Sequence, residues 1–284
     1  MEFTEVEKLP INVTDAIKNR TSTRSFEARS LNEKDKNKLL NFSNTLTNPF
    51  GVDIKLHFVS KSSGMENIKL GTYGTIKGVR DFIAVTVKDE PFAMEAVGYQ
   101  FENLVLYATE IGLGTVWLAA TFSRKDFKNV MDISFDDLFP CICPVGYPSG
   151  KRSIIERVTR ASLGSKNRKS WDKIFFLNDF NHLLSEEDAG EYYIPLEMLR
   201  LAPSSTNAQP WAVVKEGNYY HFFNNYKDRV NDDVKKIKHL DLGIALSHFH
   251  QTAMSIGLKS NPEICDIKFS VPKDMHYIIS YKIG

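Results

Sequence analysis

Apolar residues recur at helical spacing in one long segment, between Ala96 and Leu113. The apolar positions of this segment are Val97, Phe101, Leu104, Val105, Ala108 and Ile111. Residues three and four positions apart share one side of a helix, so the spacing predicts a helix with a single buried stripe. Further helices are predicted over 13–20, over 33–42 behind the capping pair Asn32 and Asp35, and over 194–201.

β-branched and aromatic residues are concentrated in other segments, which predict strands. These are residues 54–62 (IKLHFVSKS), 81–89 (DFIAVTVKD), 140–148 (PCICPVGYP) and the hairpin 211–225 (WAVVKEGNYYHFFNN). The basic, serine-rich stretch 151–170 shows neither the spacing of a helix nor the alternation of a strand. It is expected to cross from one part of the fold to another. Helices and strands are therefore mixed along the whole chain.

A second long segment repeats the first at a distance of 145 residues. AVGYQFENLVLYATEIGLGT (96–115) and DLGIALSHFHQTAMSIGLKS (241–260) align without gaps. The identical pairs are Gly98/Gly243, Ala108/Ala253, Ile111/Ile256, Gly112/Gly257 and Leu113/Leu258. A shorter echo joins NPF (48–50) with QPW (209–211). Because 145 is close to half of 284 residues, the repeat predicts two related halves, with chance similarity of two amphipathic helices as the alternative.

Composition and charge exclude several classes of protein. Apolar residues make up 42% and charged residues 25%, as in ordinary globular proteins. The net charge of +1 provides no general attraction to nucleic acid or to an anionic membrane. The longest uncharged stretch, Leu242–Leu258, contains two histidines and is too polar to span a membrane.

The cysteines and the first residues indicate a cytoplasmic protein. The opening decapeptide MEFTEVEKLP carries three glutamates, unlike a secretory signal. Three cysteines are an odd and sparse set, which suits reduced thiols. Cys141 and Cys143 would share one face of a strand, but two ligands are too few for zinc, so no metal is expected.

Two polar segments are suited to binding a phosphate group. Arg20-Thr-Ser-Thr-Arg24 combines two guanidinium groups with three hydroxyls, and arginine presents a planar fork of donors that matches phosphate oxygens. Lys166-Asn-Arg168 adds positive charge in the segment between the halves. Taken singly, each segment is better explained as a solvated polar stretch than as a binding site.

Two further segments would bring rigid backbone close to a ligand. In Ala202-Pro-Ser-Ser-Thr-Asn-Ala-Gln-Pro-Trp211, two prolines fix the backbone on either side of short hydrogen-bonding side chains. Gly112-Leu-Gly-Thr-Val-Trp117 ends the long helix, where glycine is the usual terminator, and its glycines could also admit a flat ring.

Together these segments resemble the nitroreductase family of FMN-dependent oxidoreductases. AIKNRTSTRSF (16–26) is similar to the family's opening helix and Arg-x-Ser-x-Arg signature, and LAPSSTNAQPW (201–211) to its Ala-Pro-Ser loop. GLGTVW (112–117) is similar to the end of its central helix, and PVGYP (144–148) to its Gly-Tyr-Pro strand end. The resemblance implies an α+β fold with three α/β/α layers, in which mixed, mainly antiparallel sheets are flanked by helices.

The chain departs from ordinary members in the order of the motifs. The Ala-Pro-Ser loop begins 182 residues after Arg20, and FSNTLTNPF (42–50) stands in its usual place. This order resembles the subgroup in which both halves of the family dimer are joined, and it implies an internally duplicated pseudo-dimer. Residues 1–175 would carry the phosphate site and residues 176–284 the loop, in one intertwined globule with one FMN site. A single chain would then serve as a monomer.

The resemblance assigns cofactor-binding roles to residues of both halves. The phosphate group would be bound by Arg20, Ser22, Lys166 and Arg168. Arg24 would reach the phosphate or the N1/O2 edge of the ring, where positive charge stabilises the reduced flavin. The ring would be bordered by Pro203, Ser204, Ser205 and Asn207. The strand beneath it, with a backbone N–H near flavin N5, would consist of Trp117, Leu118, Ala119 and Ala120.

The implied reaction is ping-pong. NADH or NADPH would pass hydride to flavin N5, and a nitroaromatic, a quinone or a similar small acceptor would then take the electrons. No side chain is assigned as a general acid or base, and His248 and His250 are expected to be packing or surface residues. Flavin fragmentation, reductive dehalogenation and azoline oxidation are alternatives on the same scaffold. A non-catalytic flavin-binding protein is another, because Ala119 and Ala120 stand where the family often has an acidic residue and a glycine.

Overall fold

A computed structural model of the chain describes residues 2–61, 76–119, 122–128, 131, 137–150 and 167–284. Its first part contains α1 (Val13–Asn19), α2 (Glu33–Ser43), β1 (Ile54–Ser60), β2 (Asp81–Val87), α3 (Ala93–Glu110), β3 (Gly114–Thr115), α4 (Arg124–Lys128) and β4 (Leu138–Gly146). These four strands form an antiparallel sheet in the order β1-β2-β4-β3. All seven residues of β2 are buried, because this strand is paired on both edges and packed on both faces.

The second part contains a five-stranded sheet. Its elements are β5 (Phe175–Leu177), α5 (Glu186–Ala189), α6 (Tyr193–Arg200), β6 (Trp211–Glu216), β7 (Tyr219–Asn225), α7 (Asp232–Ser255), β8 (Ser260–Glu263) and β9 (Met275–Ile283). The strand order is β5-β6-β7-β9-β8, and the β5/β6 pair is parallel while the other pairs are antiparallel. The expected α+β fold with mixed, mainly antiparallel sheets is confirmed.

Three of the described helices, α1, α2 and α7, begin at an asparagine cap. The side chains of Asn12, Asn32 and Asn231 each accept a hydrogen bond from the backbone N–H three positions later. Such a cap satisfies one of the unpaired N–H groups of the first turn. Among the described residues, no helix is both long enough and apolar enough to cross a membrane.

The two long helices, α3 and α7, pack against each other at a pair of glycines. A Cβ atom added to Gly98 would lie 2.1 Å from the carbonyl oxygen of Leu240, and one added to Gly243 would lie 2.2 Å from that of Glu95. Only glycine allows such a close backbone approach. Because positions 98 and 243, and positions 95 and 240, are each 145 apart, the two contacts are equivalent under the sequence repeat.

The same equivalence holds at the ends of these helices. Gly112 and Gly257 both have φ of +82°, the left-handed conformation that terminates a helix. The N–H of Leu113 donates to the Ala108 carbonyl at 2.8 Å, and that of Leu258 donates to the Ala253 carbonyl at 2.9 Å. The positions that are identical in the sequence repeat therefore make identical backbone contacts.

Candidate functional site

The Arg20–Arg24 turn lies against the strand that follows the first long helix. The N–H of Thr23 donates to the carbonyl of Thr115 at 2.8 Å, and Ser22 forms a parallel bridge with the same residue. A Cβ atom on Gly114 would lie 2.7 Å from Thr23 Oγ1, so a glycine is needed here for the turn to approach the strand. The predicted phosphate turn and the predicted ring-facing strand are therefore neighbours.

Arg20 is held in a buried position at the end of α1. Its side chain is only 7% exposed, and its Nε lies 3.8 Å from Oε1 of Glu102, which is fully buried in α3. Arg20 Nε and Nη1 are buried and have no hydrogen-bond partner among the described residues. Buried guanidinium groups normally have their donors satisfied, so these two atoms point to a missing acceptor.

The strand expected over residues 117–120 is not formed as such in its described part, residues 117–119: β3 ends at Thr115, and the segment after it makes one isolated bridge, between Leu118 and Ile142, but is anchored on both sides. Trp117 Nε1 donates to Glu102 Oε2 at 2.7 Å, and Leu118 exchanges two backbone hydrogen bonds of 2.9 Å with Ile142 of β4. The carbonyl of Ala119 accepts a hydrogen bond of 2.8 Å from Arg124. Ala120, which the resemblance also assigns to this strand, lies outside the described residues.

The Ala-Pro-Ser loop has an unusual backbone. Thr206, Asn207 and Gln209 have φ values of 52°, 58° and 47°, in the left-handed region that side chains other than glycine rarely adopt. Two hydrogen bonds stabilise this backbone conformation, one within the loop and one from the neighbouring Lys169. The N–H of Gln209 donates to Ser204 Oγ at 2.8 Å, and the N–H of Lys169 donates to Gln209 Oε1 at 2.7 Å.

Asp241 of α7 supports the loop from beneath. Both of its carboxylate oxygens accept from the N–H of Ser205, at 3.0 and 3.1 Å. Burial raises the pKa of this carboxyl to about 8, while the Ser205 N–H and the charge of Lys238 act in the opposite direction. A buried acid is thus placed directly under the segment predicted to border the ring.

Arg168 is hydrogen-bonded both to the Ala-Pro-Ser loop and to the residue that follows α6. Its Nη1 donates to Asn207 Oδ1 at 2.8 Å, and its Nε and Nη2 donate to the Leu201 carbonyl at 3.2 and 3.1 Å. Burial and the charges of Arg20 and Arg200 lower the pKa of Arg168 to about 10. The guanidinium groups of Arg20, Arg168 and Arg200 therefore lie close together, which favours an anion; we call the region around these three arginines the seam. Lys166 lies outside the described residues.

Several residues that motif reasoning passed over belong to this arrangement. Glu102, Gln209 and Asp241 connect the predicted segments to one another, although none was assigned to the cofactor. The sequence did carry a signal for two of them. Glu102 and Asp241 are acidic residues within the two largely apolar helical segments, where a charge indicates a specific partner. His248 and His250, expected to be packing or surface residues, are both buried.

Another pocket lies beside α2 and α3. It has a volume of about 520 Å³ and is lined by Glu7–Pro10, by residues of α2 and of the segment after it between positions 38 and 47, and by Asn103 and Tyr107 of α3. The N–H of Leu9 donates to Gln251 Oε1 at 3.0 Å, so the N-terminal segment is tied to α7 here. The described lining includes two lysines but no arginine, unlike the Arg20 side.

The two mainly antiparallel sheets and the buried helix pair, with an arginine-rich seam, define a nitroreductase-type oxidoreductase. The chain belongs to the family described as "Putative TM nitroreductase", whose model matches residues 12–253. The membership confirms the resemblance drawn from the motifs. A search of curated proteins gives no match to the chain.

One solved structure shows the same fold. It is a protein of Thermotoga maritima described as a "putative nitroreductase", with 21% identity and a TM-score of 0.58, and the match covers 98% of this chain and 97% of that protein. A nitroreductase family protein of Clostridium difficile has 21% identity and a TM-score of 0.42, covering 53% and 92% respectively. A nitroreductase with bound FMN from Desulfitobacterium hafniense has 15% identity and a TM-score of 0.43, covering 50% and 92%.

Proposed function

We propose that the chain binds one FMN at the seam beside Arg20 and uses it to transfer electrons from NADH or NADPH to a small acceptor. The observation that carries the proposal is the buried Arg20 guanidinium, whose Nε and Nη1 have no hydrogen-bond partner among the described residues. A phosphate dianion would supply acceptors for these donors. The nearby Arg168 increases the local positive charge.

Different groups of described residues would bind the phosphate and the ring of the cofactor. Arg20 and Ser22 would bind the phosphate, with Arg168 contributing charge while it fixes the loop through Asn207. Trp117, Leu118 and Ala119 would support the ring from one side, and Pro203, Ser204 and Ser205 would border it from the other. Arg24 would stabilise negative charge on the phosphate or the ring. When bound, FMN supplies the redox chemistry, because it accepts hydride and returns electrons to an acceptor.

The protein itself positions the reacting groups and excludes water. The loop is fixed by Asp241 and Ser204, and the strand by Glu102 and β4, so both walls are held before any ligand binds. Such preorganisation lowers the cost of ordering on binding. We propose a nitroaromatic, quinone or similar planar compound as the acceptor.

We further propose that residues 1–175 and 176–284 are the two halves of a fused dimer. The equivalent contacts of Gly98 and Gly243, and of Gly112 and Gly257, support this division. The Arg-x-Ser-x-Arg turn lies in one half and the Ala-Pro-Ser loop in the other, which leaves one complete cofactor site per chain.

The test is to reconstitute the purified chain with FMN and to mix it anaerobically with NADH or NADPH. Bleaching of the flavin absorbance, followed by its return when a quinone is added, is the expected result. Flavin that binds but stays oxidised with both nucleotides would contradict the reductase proposal and favour a non-catalytic flavoprotein. A chain that takes up no FMN would contradict the cofactor assignment itself.

Arg200→Ala is a matched control for Arg20→Ala. Arg200 also lies near Arg168, but its Nε and Nη2 donate to Glu197 at 2.6 Å. Loss of Arg20 is expected to weaken FMN binding by about tenfold or more, the effect of one charge-assisted hydrogen bond. Equal losses in the two variants would contradict the phosphate assignment.

A further inference from the structure

Glu102 contacts components of the seam from both halves of the chain. Its side chain is fully buried in the middle of α3. Oε2 accepts the hydrogen bond from Trp117, and Oε1 lies 3.0 Å from His248 Nε2 and 3.8 Å from Arg20 Nε. A buried carboxylate is costly unless it is well paired, so these partners account for its charge.

The histidine extends this connection to the Ala-Pro-Ser loop. His248 Nδ1 lies 3.0 Å from the carbonyl oxygen of Met198, in the helix α6 that leads into the loop. Glu102 is therefore linked to the phosphate turn through Arg20, to the ring-facing strand through Trp117, and to the loop through His248. Among the described residues, it is the carboxylate that lies within ion-pairing distance of Arg20.

The sequence repeat provides an internal comparison for Glu102. At an offset of 145, Ser247 is equivalent to Glu102 and Asn103 to His248. The equivalent contact is a neutral hydrogen bond of 2.8 Å, from Ser247 Oγ to Asn103 Oδ1. A neutral pair thus suffices to join the helices on the side without an Arg-x-Ser-x-Arg turn, and the charged pair occurs on the side that has one.

From this asymmetry we infer that Glu102 is a positioning residue that directs Arg20 towards the cofactor phosphate. The inference rests on the proposed function. A residue needed only for helix packing would not require a negative charge, because the Ser247–Asn103 pair fills the same position without one. The charge of Glu102 instead attracts the Nε side of the guanidinium without a hydrogen bond, at 3.8 Å, which holds Arg20 at the end of α1 and leaves Nε and Nη1 able to donate to the ligand.

The test compares FMN with riboflavin, which has the same ring but no phosphate. In fluorescence titrations of the full chain, Glu102→Gln is expected to weaken FMN binding by about tenfold or more, the effect of one charge-assisted contact. Riboflavin binding is expected to change by less than about threefold, because the glutamine keeps an oxygen that can accept the hydrogen bond from Trp117 Nε1 and the ring contacts remain. Ser247→Ala, at the equivalent position, is expected to leave both affinities unchanged.

A double-mutant cycle with Arg20→Ala separates a positioning role from a structural one. If Glu102 acts through Arg20, Glu102→Gln has no further effect on FMN affinity in the Arg20→Ala background. Additive losses, or equal losses for FMN and riboflavin, would overturn the inference. If Glu102→Gln does not fold, Glu102→Asp is measured instead; it keeps the charge but shortens the side chain. The same comparison applies: a loss of FMN affinity that exceeds the loss of riboflavin affinity is expected, and equal losses would overturn the inference. Failure of the unaltered chain to bind FMN would instead contradict the proposed function.

Discussion

Asp241 provides a quantitative test of the buried chemistry under the Ala-Pro-Ser loop. Its carboxyl is fully buried, and burial raises its pKa from the ordinary 3.8 to about 8. Its hydrogen-bond donor is the backbone N–H of Ser205, at 3.0 Å. The substitution Asp241→Asn keeps an oxygen that can accept this hydrogen bond and removes the possibility of a buried negative charge.

The sign of the pH effect follows from where the proton is held. Between pH 4 and pH 8 the folded chain keeps the Asp241 carboxyl protonated, whereas the unfolded chain releases the proton. The unfolded state then binds fewer protons, so the free energy of unfolding falls as pH rises through this window. One pKa unit corresponds to about 1.4 kcal/mol, which gives an upper limit of ~4 kcal/mol between pH 5 and pH 8. Water penetration around the carboxylate reduces this value.

The measurement is urea unfolding of the flavin-free chain at pH 5, 6.5 and 8 for the unaltered protein and Asp241→Asn. The stability advantage of the variant is expected to grow with pH by at least about 1 kcal/mol. Asp53→Asn, at an exposed carboxylate, serves as the control and should show no such growth. A difference between the chains that stays constant from pH 5 to pH 8 would refute the argument that burial keeps Asp241 protonated.

Three further predictions concern packing, thiols and the division of the chain. Gly98→Ala is expected to lower the unfolding free energy by about 2 kcal/mol or more, since the new Cβ would meet the Leu240 carbonyl; Gly150→Ala, which meets nothing within 4 Å, is the control in urea unfolding. A thiol reagent should modify Cys265 in the native chain and all three cysteines after unfolding, because burial raises the pKa of both β4 thiols; three rapid modifications would contradict this. Chains cut near residue 175 should not bind FMN as separate halves, and FMN titration of each half is the check.

Local sequence patterns predicted several elements because the causes of those elements are local, whereas α4, α5, β8 and β9 were not predicted. The apolar spacing from Ala96 to Leu113 corresponds to α3, and the Asn32 cap begins α2 as expected. The hairpin 211–225 forms β6 and β7 around a two-residue turn at Gly217. The parallel β5 was not predicted, because its three residues are too few to show a period and its pairing with β6 depends on distant contacts.

The candidate site was predictable only in part. The Arg20–Arg24 turn and the Ala-Pro-Ser loop carry recognisable residues, so motifs located both. The links between them could not be read from the sequence, because Glu102 meets His248 across 146 positions and Asp241 meets Ser205 across 36. Contacts of this kind depend on how α3 and α7 cross, which is fixed by two glycines far from either motif.

The helix pair shows how aligned positions of α3 and α7 are used. Gly98 and Gly243 are identical, and a side chain at either position would push the backbones apart, whatever ligand the seam holds. Positions 102 and 247 are free of that constraint and differ in charge. Among the described residues, Glu102 lies within ion-pairing distance of Arg20, while Ser247 forms a neutral hydrogen bond with Asn103, which lines a pocket with no arginine in its described lining. The difference in charge between equivalent positions therefore marks the side of the molecule on which the cofactor is proposed to bind.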